Sequence, residues 1–318
     1  MKTDIYALGI DVGSTTVKTV VIDCNSKIIY SNYERHFSKV KETVIQQIKK
    51  IGEQFGDAVF RLSITGSAGL GLAQASSLPF VQEVHSAFVA VKETYPDADA
   101  VIELGGEDAK IIFLTGGVEQ RMNGSCAGGT GAFIDQMATL LGITVDDKLS
   151  LNAEKIYPIA SRCGVFAKSD VQPLLNQGAR REDIAASIFQ AVVDQTVSGL
   201  AQGRTIEGKV LFLGGPLSFQ KGLRKAFVDT LKLGEGNAVF PETARVFMAY
   251  GCALSARDGV EEMTADEICE RLEKANMSGN IVRGQRLFDS REAYEKFVAR
   301  HKAYDLKYVD IKKYEGDA

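Results

Sequence analysis

Ile5-Tyr6-Ala7-Leu8-Gly9-Ile10-Asp11-Val12-Gly13-Ser14-Thr15-Thr16-Val17-Lys18-Thr19-Val20-Val21-Ile22 is the stretch that decides the fold. The apolar run Ile5–Ile10 predicts a strand, Asp11–Lys18 a turn, and Thr19–Ile22 a second strand returning beside the first. The turn combines one carboxylate, a glycine and three hydroxyls at a strand end, a set suited to wrapping β- and γ-phosphates while the carboxylate holds Mg²⁺ through water. An ordinary Asp/Gly hairpin has the same outline. A second block echoes the first about 95 residues on. There Ala100–Leu104 is a strand, Gly105-Gly106-Glu107-Asp108-Ala109-Lys110 the turn, and Ile111–Thr115 the return before Gly116-Gly117. A repeated strand, acidic glycine turn and strand headed by a lysine imply two similar lobes with facing loops.

Outward from these blocks, Cys24-Asn25-Ser26 turns into a third strand over Lys27–Arg35, and Lys39–Phe55 has the spacing of an amphipathic helix. Phe60–Thr65 reads as a buried strand ending at Gly66, Val81–Val84 as a short strand, and Ser86 to Tyr95 as a helix. In the second half, Asp183–Leu200 is a long helix, Lys209–Leu213 a strand running into Gly214-Gly215-Pro216, and Phe219–Leu231 a helix. Thr243–Ala256 is a further helix expected to close the second lobe. The expected division is residues 1–98 and 99–258 for the two lobes, and 259–318 for a helical extension or linker. The extension carries charged helices at Thr264–Ala275 and Ser290–His301, then a polar tail.

The chain has 318 residues, 45% hydrophobic and 25% charged, in the range of a globular protein of two lobes. A net charge of −4 gives no basic footprint, so no nucleic-acid partner is expected. No uninterrupted apolar run has membrane-spanning length and the N-terminus lacks a signal peptide's apolar core, so no membrane association is expected. Five cysteines without regular spacing do not form a disulfide framework, and a cytoplasmic location is expected.

Ser125-Cys126-Ala127-Gly128-Gly129-Thr130-Gly131-Ala132-Phe133 is the second informative stretch. Its glycines allow close backbone approach to a phosphate. Phe133, Ile134, Met137, Leu140 and Leu141 then follow at helical spacing, so the glycines head a helix whose free N–H groups are expected to favour an anion. Gly214-Gly215-Pro216 lets an adenosine lie against backbone. Four glycine loops at strand ends are a stronger signal than any one alone. No P-loop pattern occurs. Gly66-Ser67-Ala68-Gly69-Leu70-Gly71 follows a strand, but its spacing does not match the dinucleotide fingerprint.

In this order the motifs resemble the sugar kinase, heat-shock chaperone and actin ATPases. Gly9–Lys18 looks like their first phosphate motif, Glu103–Lys110 like the second, and Leu213–Pro216 like the adenosine motif. Asn123–Gly131 and Ser161-Arg162-Cys163-Gly164-Val165-Phe166-Ala167-Lys168-Ser169-Asp170 are more specific. They resemble the activators (component A) of 2-hydroxyacyl-CoA dehydratases and the ATPase subunits of benzoyl-CoA reductase, a likeness running from about Ile5 to Ser255. The resemblance implies an α/β fold, a two-lobed actin-like ATPase with ribonuclease H-like duplicated lobes and a nucleotide cleft between them. It implies ATP or ADP held by Gly13, Ser14, Thr15, Thr16, Lys18, Gly105, Gly106, Gly128, Gly129, Thr130, Gly131, Gly214, Gly215 and Pro216. Asp11, Glu107 and Asp108 would act catalytically, with Mg²⁺ on Asp11 and Asp108.

The resemblance further implies that Cys126 and Cys163 ligate one [4Fe–4S] cluster per homodimer, two thiolates from each protomer. ATP hydrolysis would then drive electron transfer to a dehydratase or reductase partner, with a flavodoxin or ferredoxin as donor. Two buried structural thiols are the plain alternative for the pair, and Cys24, Cys252 and Cys269 read as packing or incidental. Two departures stand out: Glu103 where aspartate is usual, and Glu107 where the smaller activators have glutamine. Val260–Ala318 exceeds a minimal activator and looks like the start of a linker to a second activator-like domain. A sugar-type kinase, or a non-catalytic ATP-binding protein of the same fold, are the competing functional readings; neither needs the cysteine pair.

Overall fold

In a computed structural model, residues 4–123, 128–142, 150–161, 164–259, 261–276, 287–302 and 304 are described. The chain divides into a large unit, Met1–Met277, and a small C-terminal one, Ser278–Ala318.

The large unit holds two five-stranded sheets. The first contains β1 (Ile5–Val12), β2 (Thr16–Ile22), β3 (Ile28–Arg35), β4 (Val59–Thr65) and β10 (Met263–Thr264), in the order β10-β4-β1-β2-β3. The second contains β5 (Ala100–Leu104), β6 (Ala109–Phe113), β7 (Glu119–Met122), β8 (Val210–Leu213) and β9 (Ala238–Val239), in the order β7-β6-β5-β8-β9. In each, three antiparallel strands from consecutive hairpins are extended by a parallel fourth (β1 with β4, β5 with β8). The repeat seen in the sequence is therefore a repeat of topology. The fifth strands differ: β10 joins antiparallel to β4, β9 parallel to β8.

Alternation explains which residues face what. Along β2, Val17, Val20, Val21 and Ile22 are fully buried, and β1 buries Leu8, Ile10 and Val12 against α1 (Val40–Phe55), which contributes Val44, Ile48 and Ile51. In the second lobe, α4 (Gly131–Leu141) inserts Phe133, Ile134, Met137 and Leu141 into a core shared with α6 (Arg181–Thr196). Helix α6 continues as a π-turn over Val197–Ala201. The 21-residue span Arg181–Ala201 is long and apolar enough to cross a membrane by length and composition, yet 61% of its 18-residue apolar window is buried, as befits the core helix of this lobe.

Several elements differ from the sequence expectation. Val81–Val84 is not a strand: Phe80 makes an isolated parallel bridge to Ile64, and α3 (Glu83–Thr94) starts almost at once. Gly69–Ser76 forms a short helix, α2, behind the glycine run dismissed as a dinucleotide decoy. Phe219–Leu231 is two helices, α7 (Gly215–Phe219) and α8 (Lys221–Leu231), broken at Gln220, whose backbone is extended. Between α4 and α6, α5 spans Gly164–Asn176.

The largest difference concerns α9 (Phe247–Ala256). It does not close the second lobe alone but is packed in a core drawing on both sheets, with Ala7, Val20 and Ile22 from one and Val101, Ile112 and Leu213 from the other. Helix α9 is apolar on every side, so it has no solvent face and can only be interior. Two glycines permit the close approach. A Cβ on Gly9 would meet the Ala249 carbonyl oxygen at 1.9 Å, and one on Gly251 the Ser86 carbonyl oxygen at 1.8 Å. The segment Met263–Lys274, which the sequence groups with the extension, packs on the first lobe instead. There β10 pairs with β4, and α10 (Ala265–Lys274) buries Ile268, Cys269 and Leu272 beside α1. A capping box at Thr264 and Glu267 fixes its start.

In the small unit, α11 (Arg291–Lys302) carries Tyr294 and Phe297, whose rings meet Phe288.

Candidate active site

Strand register sets the first wall of the site. Asp11 on β1 lies opposite Lys18 on β2, Lys18 opposite Tyr33 on β3, and Thr16 opposite Arg35. The period of two puts Asp11, Thr16, Lys18, Tyr33 and Arg35 on one face, at the sheet end where the first turn lies. Asp11 is buried and pairs with Lys18 Nζ at 3.0 Å. Burial opposes the charge on Lys18, but Asp11 beside it holds the ammonium on and raises its pKa. The turn is closed by Gly13 N–H donating to Thr16 O (3.0 Å), and His36 braces it from outside. The His36 ring Nε2 is 3.1 Å from Gly13 O, and its backbone N–H donates to Thr15 O at 3.2 Å.

The second wall repeats the device. Glu103 on β5 lies opposite Lys110 on β6, as Asp11 lies opposite Lys18. Here the lysine has two carboxylates: Glu83, from the start of α3, bonds Lys110 Nζ, and Glu103 Oε2 is 3.7 Å away. Among the described residues, no hydrogen-bond partner reaches the buried Glu103 Oε2. Burial pushes the Glu103 carboxyl up despite the pull of Lys110, while the two carboxylates hold the Lys110 ammonium on against its own desolvation.

The two turns touch. A Cβ on Gly106 would lie 2.3 Å from Thr15 Oγ1, so only glycine lets the second turn rest on the first. The cleft between the lobes is lined by residues from all four glycine loops: Asp11, Thr15, Thr16 and Lys18; Gly105 and Gly106; Gly131; and Gly214, Gly215 and Pro216. An adjoining cavity shares Asp11, Thr15, Lys18, Glu103, Gly105 and Gly106 with it and also reaches Gly13, Ser14, Glu83, Asp108 and Lys110. Gly214, with φ +92°, sits where a Cβ would strike the Leu104 carbonyl oxygen at 2.0 Å; its N–H donates to Ala244 O. Met248, Phe219 and Tyr33 give the cleft apolar and aromatic surface.

Some expected site residues fall elsewhere. Glu107 is exposed and does not line the described cleft; its carbonyl accepts a bond from Asn123 Nδ2. The N-terminus of α4 is not free for an anion. Gly131 N–H donates to Gly105 O (3.0 Å) and Ala132 N–H to Gly106 O (2.8 Å), so these first donors tie the helix to the second turn. Gly128, Gly129 and Thr130 are buried, and Gly129 packs against Gln195 rather than the cleft. Cys126 and Cys163 lie outside the described residues. Gly164, at the head of α5, lies against Phe133 and Gln136 of α4, so the helices following the two cysteine segments begin side by side. Cys24 is exposed; Cys252 and Cys269 are buried, and the Cys252 thiol donates to Ser63 O.

Sequence reading missed Glu83, Arg35, Asp135 and Phe219 as cleft residues: Glu83 and Arg35 come from elements outside the glycine motifs, and Asp135 and Phe219 from the helices that two of those motifs begin. It noted Lys110 and Glu103 but not their burial. The repeated acid–lysine spacing was the signal from which the second pair could have been read.

The chain's similarity to known proteins agrees with this arrangement. The (R)-2-hydroxyglutaryl-CoA dehydratase activating ATPase of Acidaminococcus fermentans is 31% identical over 241 residues, covering 71% of this chain and 88% of that protein. The crystal structure of the A. fermentans dehydratase component A superposes with a TM-score of 0.71 at 29% identity, covering 80% of this chain and 98% of that one. The activator of 2-hydroxyisocaproyl-CoA dehydratase from Clostridium difficile, solved with bound ADPNP, gives 0.68 at 26% identity, covering 85% and 98%. The two-lobed actin-like ATPase fold expected from the sequence is the fold the chain has. Residues 8–256 match one family throughout, and the chain belongs to it: the BadF/BadG/BcrA/BcrD ATPase family.

Proposed function

We propose that this protein is an ATP-dependent activator that couples ATP hydrolysis to low-potential electron transfer into a 2-hydroxyacyl-CoA dehydratase-like or double-cubane-type partner. The observation that supports it most is the pair of facing turns, Gly106 seated on Thr15, with an acid–lysine pair behind each.

The residues present fit a magnesium nucleotide. Among the described residues, Asp11, Glu83, Glu103 and Asp108 share the adjoining cavity with two cations, Lys18 and Lys110, leaving a negative excess that a divalent cation would neutralise. Among the described residues no three His, Cys, Asp or Glu side chains converge as a cage. Mg²⁺ commonly takes one or two carboxylates and completes its shell with water and phosphate oxygens. Asp11 and Asp108 are the proposed holders. Gly13, Ser14, Thr15, Gly105 and Gly106 would cradle the phosphates, Lys18 would orient Asp11, and the loop at Gly214–Pro216 with Phe219 would receive the nucleoside. Polarising the terminal phosphate is the chemistry the metal supplies when bound. Glu107, exposed in this arrangement, would reach an attacking water only after the lobes move.

Cys126 and Cys163 are the proposed thiolates of a [4Fe–4S] cluster shared across a homodimer, which would carry the electron from a flavodoxin or ferredoxin donor to the acceptor. The neighbouring starts of α4 and α5 support a common ligand for the two segments. A cytoplasmic location is proposed with this role.

Anaerobically purified protein tests the reading by iron content and absorbance near 400 nm. About four irons per dimer are expected, lost in Cys126→Ser and in Cys163→Ser and retained in Cys24→Ser. Full iron in either of the first two variants overturns the cluster assignment. An iron-free protein that phosphorylates a sugar instead favours the kinase reading.

A further inference from the structure

Arg35 and Asp135 join the two lobes across the cleft. Arg35 ends β3 of the first lobe, opposite Thr16 in register, and Asp135 lies on the second turn of α4 in the other lobe. Arg35 Nη2 is 2.8 Å from Asp135 Oδ2, and both side chains line the cleft with Thr15, Thr16 and Lys18. They are 58% and 56% exposed, so water screens the pair and its attraction is weak. A planar guanidinium is the side chain best matched to phosphate oxygens, and this one stands at the edge of the proposed phosphate site.

We propose that Arg35 is a phosphate ligand held in reserve by Asp135: a bound nucleoside triphosphate takes the guanidinium from the carboxylate and thereby unties α4 from β3. The proposal rests on the nucleotide-cleft reading above and adds a residue pair to it. The exchange needs little driving force, because the contact given up is screened and the one gained carries more negative charge. It also has a consequence for the second lobe. Helix α4 is bonded at its N-terminus to Gly105 and Gly106 and leads back through Gly128 towards Cys126, so loss of the Asp135 tie frees its side facing the first lobe while its head stays attached. Arg35 is thus a binding residue, and Asp135 a positioning residue that competes with the ligand.

Competition predicts opposite signs for the two partners. The apparent affinity falls with the fraction of Arg35 free to bind, so removing the competitor raises it. Titration calorimetry with a non-hydrolysable ATP analogue and Mg²⁺ on the full chain should show Asp135→Asn tightening binding about three- to tenfold. Arg35→Gln should weaken it about tenfold, for loss of a charge-assisted phosphate contact. Adenosine, which has no phosphate, should bind both variants and the wild type alike. If both substitutions weaken the analogue similarly, or if adenosine shifts with it, the pair is merely structural and the proposal falls. Absence of analogue binding in the wild-type protein would instead overturn the nucleotide-cleft reading itself. Both side chains being half exposed, folding is expected to be unaffected, checked by equal melting temperatures.

Discussion

The two lobes place an acid and a lysine at equivalent register positions, yet the pairs are not equivalent. In the first lobe Asp11 and Lys18 form a simple pair at 3.0 Å. In the second, Lys110 is shared between Glu83 and Glu103, and one Glu103 oxygen has no hydrogen-bond partner among the described residues. The extra carboxylate comes from α3, an element of the first half of the chain, so the second pair also ties the halves together. One motif, used twice, serves two purposes. The simple pair leaves a carboxylate whose remaining lone pairs can go to a metal. The shared one commits its lysine to structure.

Lys110→Met should break this contrast most severely. It leaves the partly buried Glu83 and Glu103 without the buried cation they share, a loss approaching that of a broken buried pair, about 3–5 kcal/mol, measured by urea denaturation. Lys18→Met should cost less, because it strands one carboxylate, Asp11, rather than two. Equal losses would mean the two pairs are energetically the same.

For catalysis the ranking reverses. Asp11→Asn is expected to lower ATP hydrolysis by about 10²-fold or more, since it removes the proposed metal carboxylate. Glu103→Gln should leave hydrolysis within several-fold of wild type. A larger effect at Glu103 would move the metal to the second lobe.

The turns themselves are also unequal. A Cβ on Gly13 would come closest to Lys18 Nζ, at 3.1 Å, and next to Thr16 O at an ordinary 3.6 Å, whereas one on Gly106 collides with Thr15 at its Cβ, Cγ2 and Oγ1. Gly106→Ala should therefore push the turns apart and weaken nucleotide binding about tenfold, with Gly13→Ala smaller, measured as KM for ATP. Comparable KM values for the two variants would show that the turns need not touch.

The smallest effect concerns pH. The Glu103 carboxyl is raised above its ordinary value of 4.5, first by burial, so the unfolded chain gives up this proton more readily than the folded one. Folded stability from this group therefore falls as pH rises from 4.5 towards the raised value. Glu103→Gln has no such loss. Its melting temperature relative to wild type should rise across that window and the advantage should disappear in more acidic solution. A difference independent of pH would mean that folding leaves the Glu103 carboxyl at its ordinary value.

Much of this site was legible before any coordinates. Asp11 and Lys18 face each other across one hairpin, and so do Glu103 and Lys110, so strand periodicity and a tight turn place each pair within a few residues. The Gly214–Pro216 loop follows its strand directly. Glu83, Arg35 and Asp135 carry no such signal, because each meets the site from another element. Local pattern also misjudged the head of α4: glycines at a helix start look open to an anion, but the neighbouring turn's carbonyls already use the first donors.

The sequence by itself determined the duplicated lobes, the four glycine loops and the family, because those depend on short-range periodicity and on residue types a turn demands. Tertiary structure decided where α9 lies and what crosses the cleft. A helix apolar on every side carries no information about which sheet it will join, and only the close approach at Gly9 and Gly251 fixes it between both. An ion pair such as Arg35–Asp135 exists only once two lobes have closed, since its partners are brought together by packing and not by spacing along the chain.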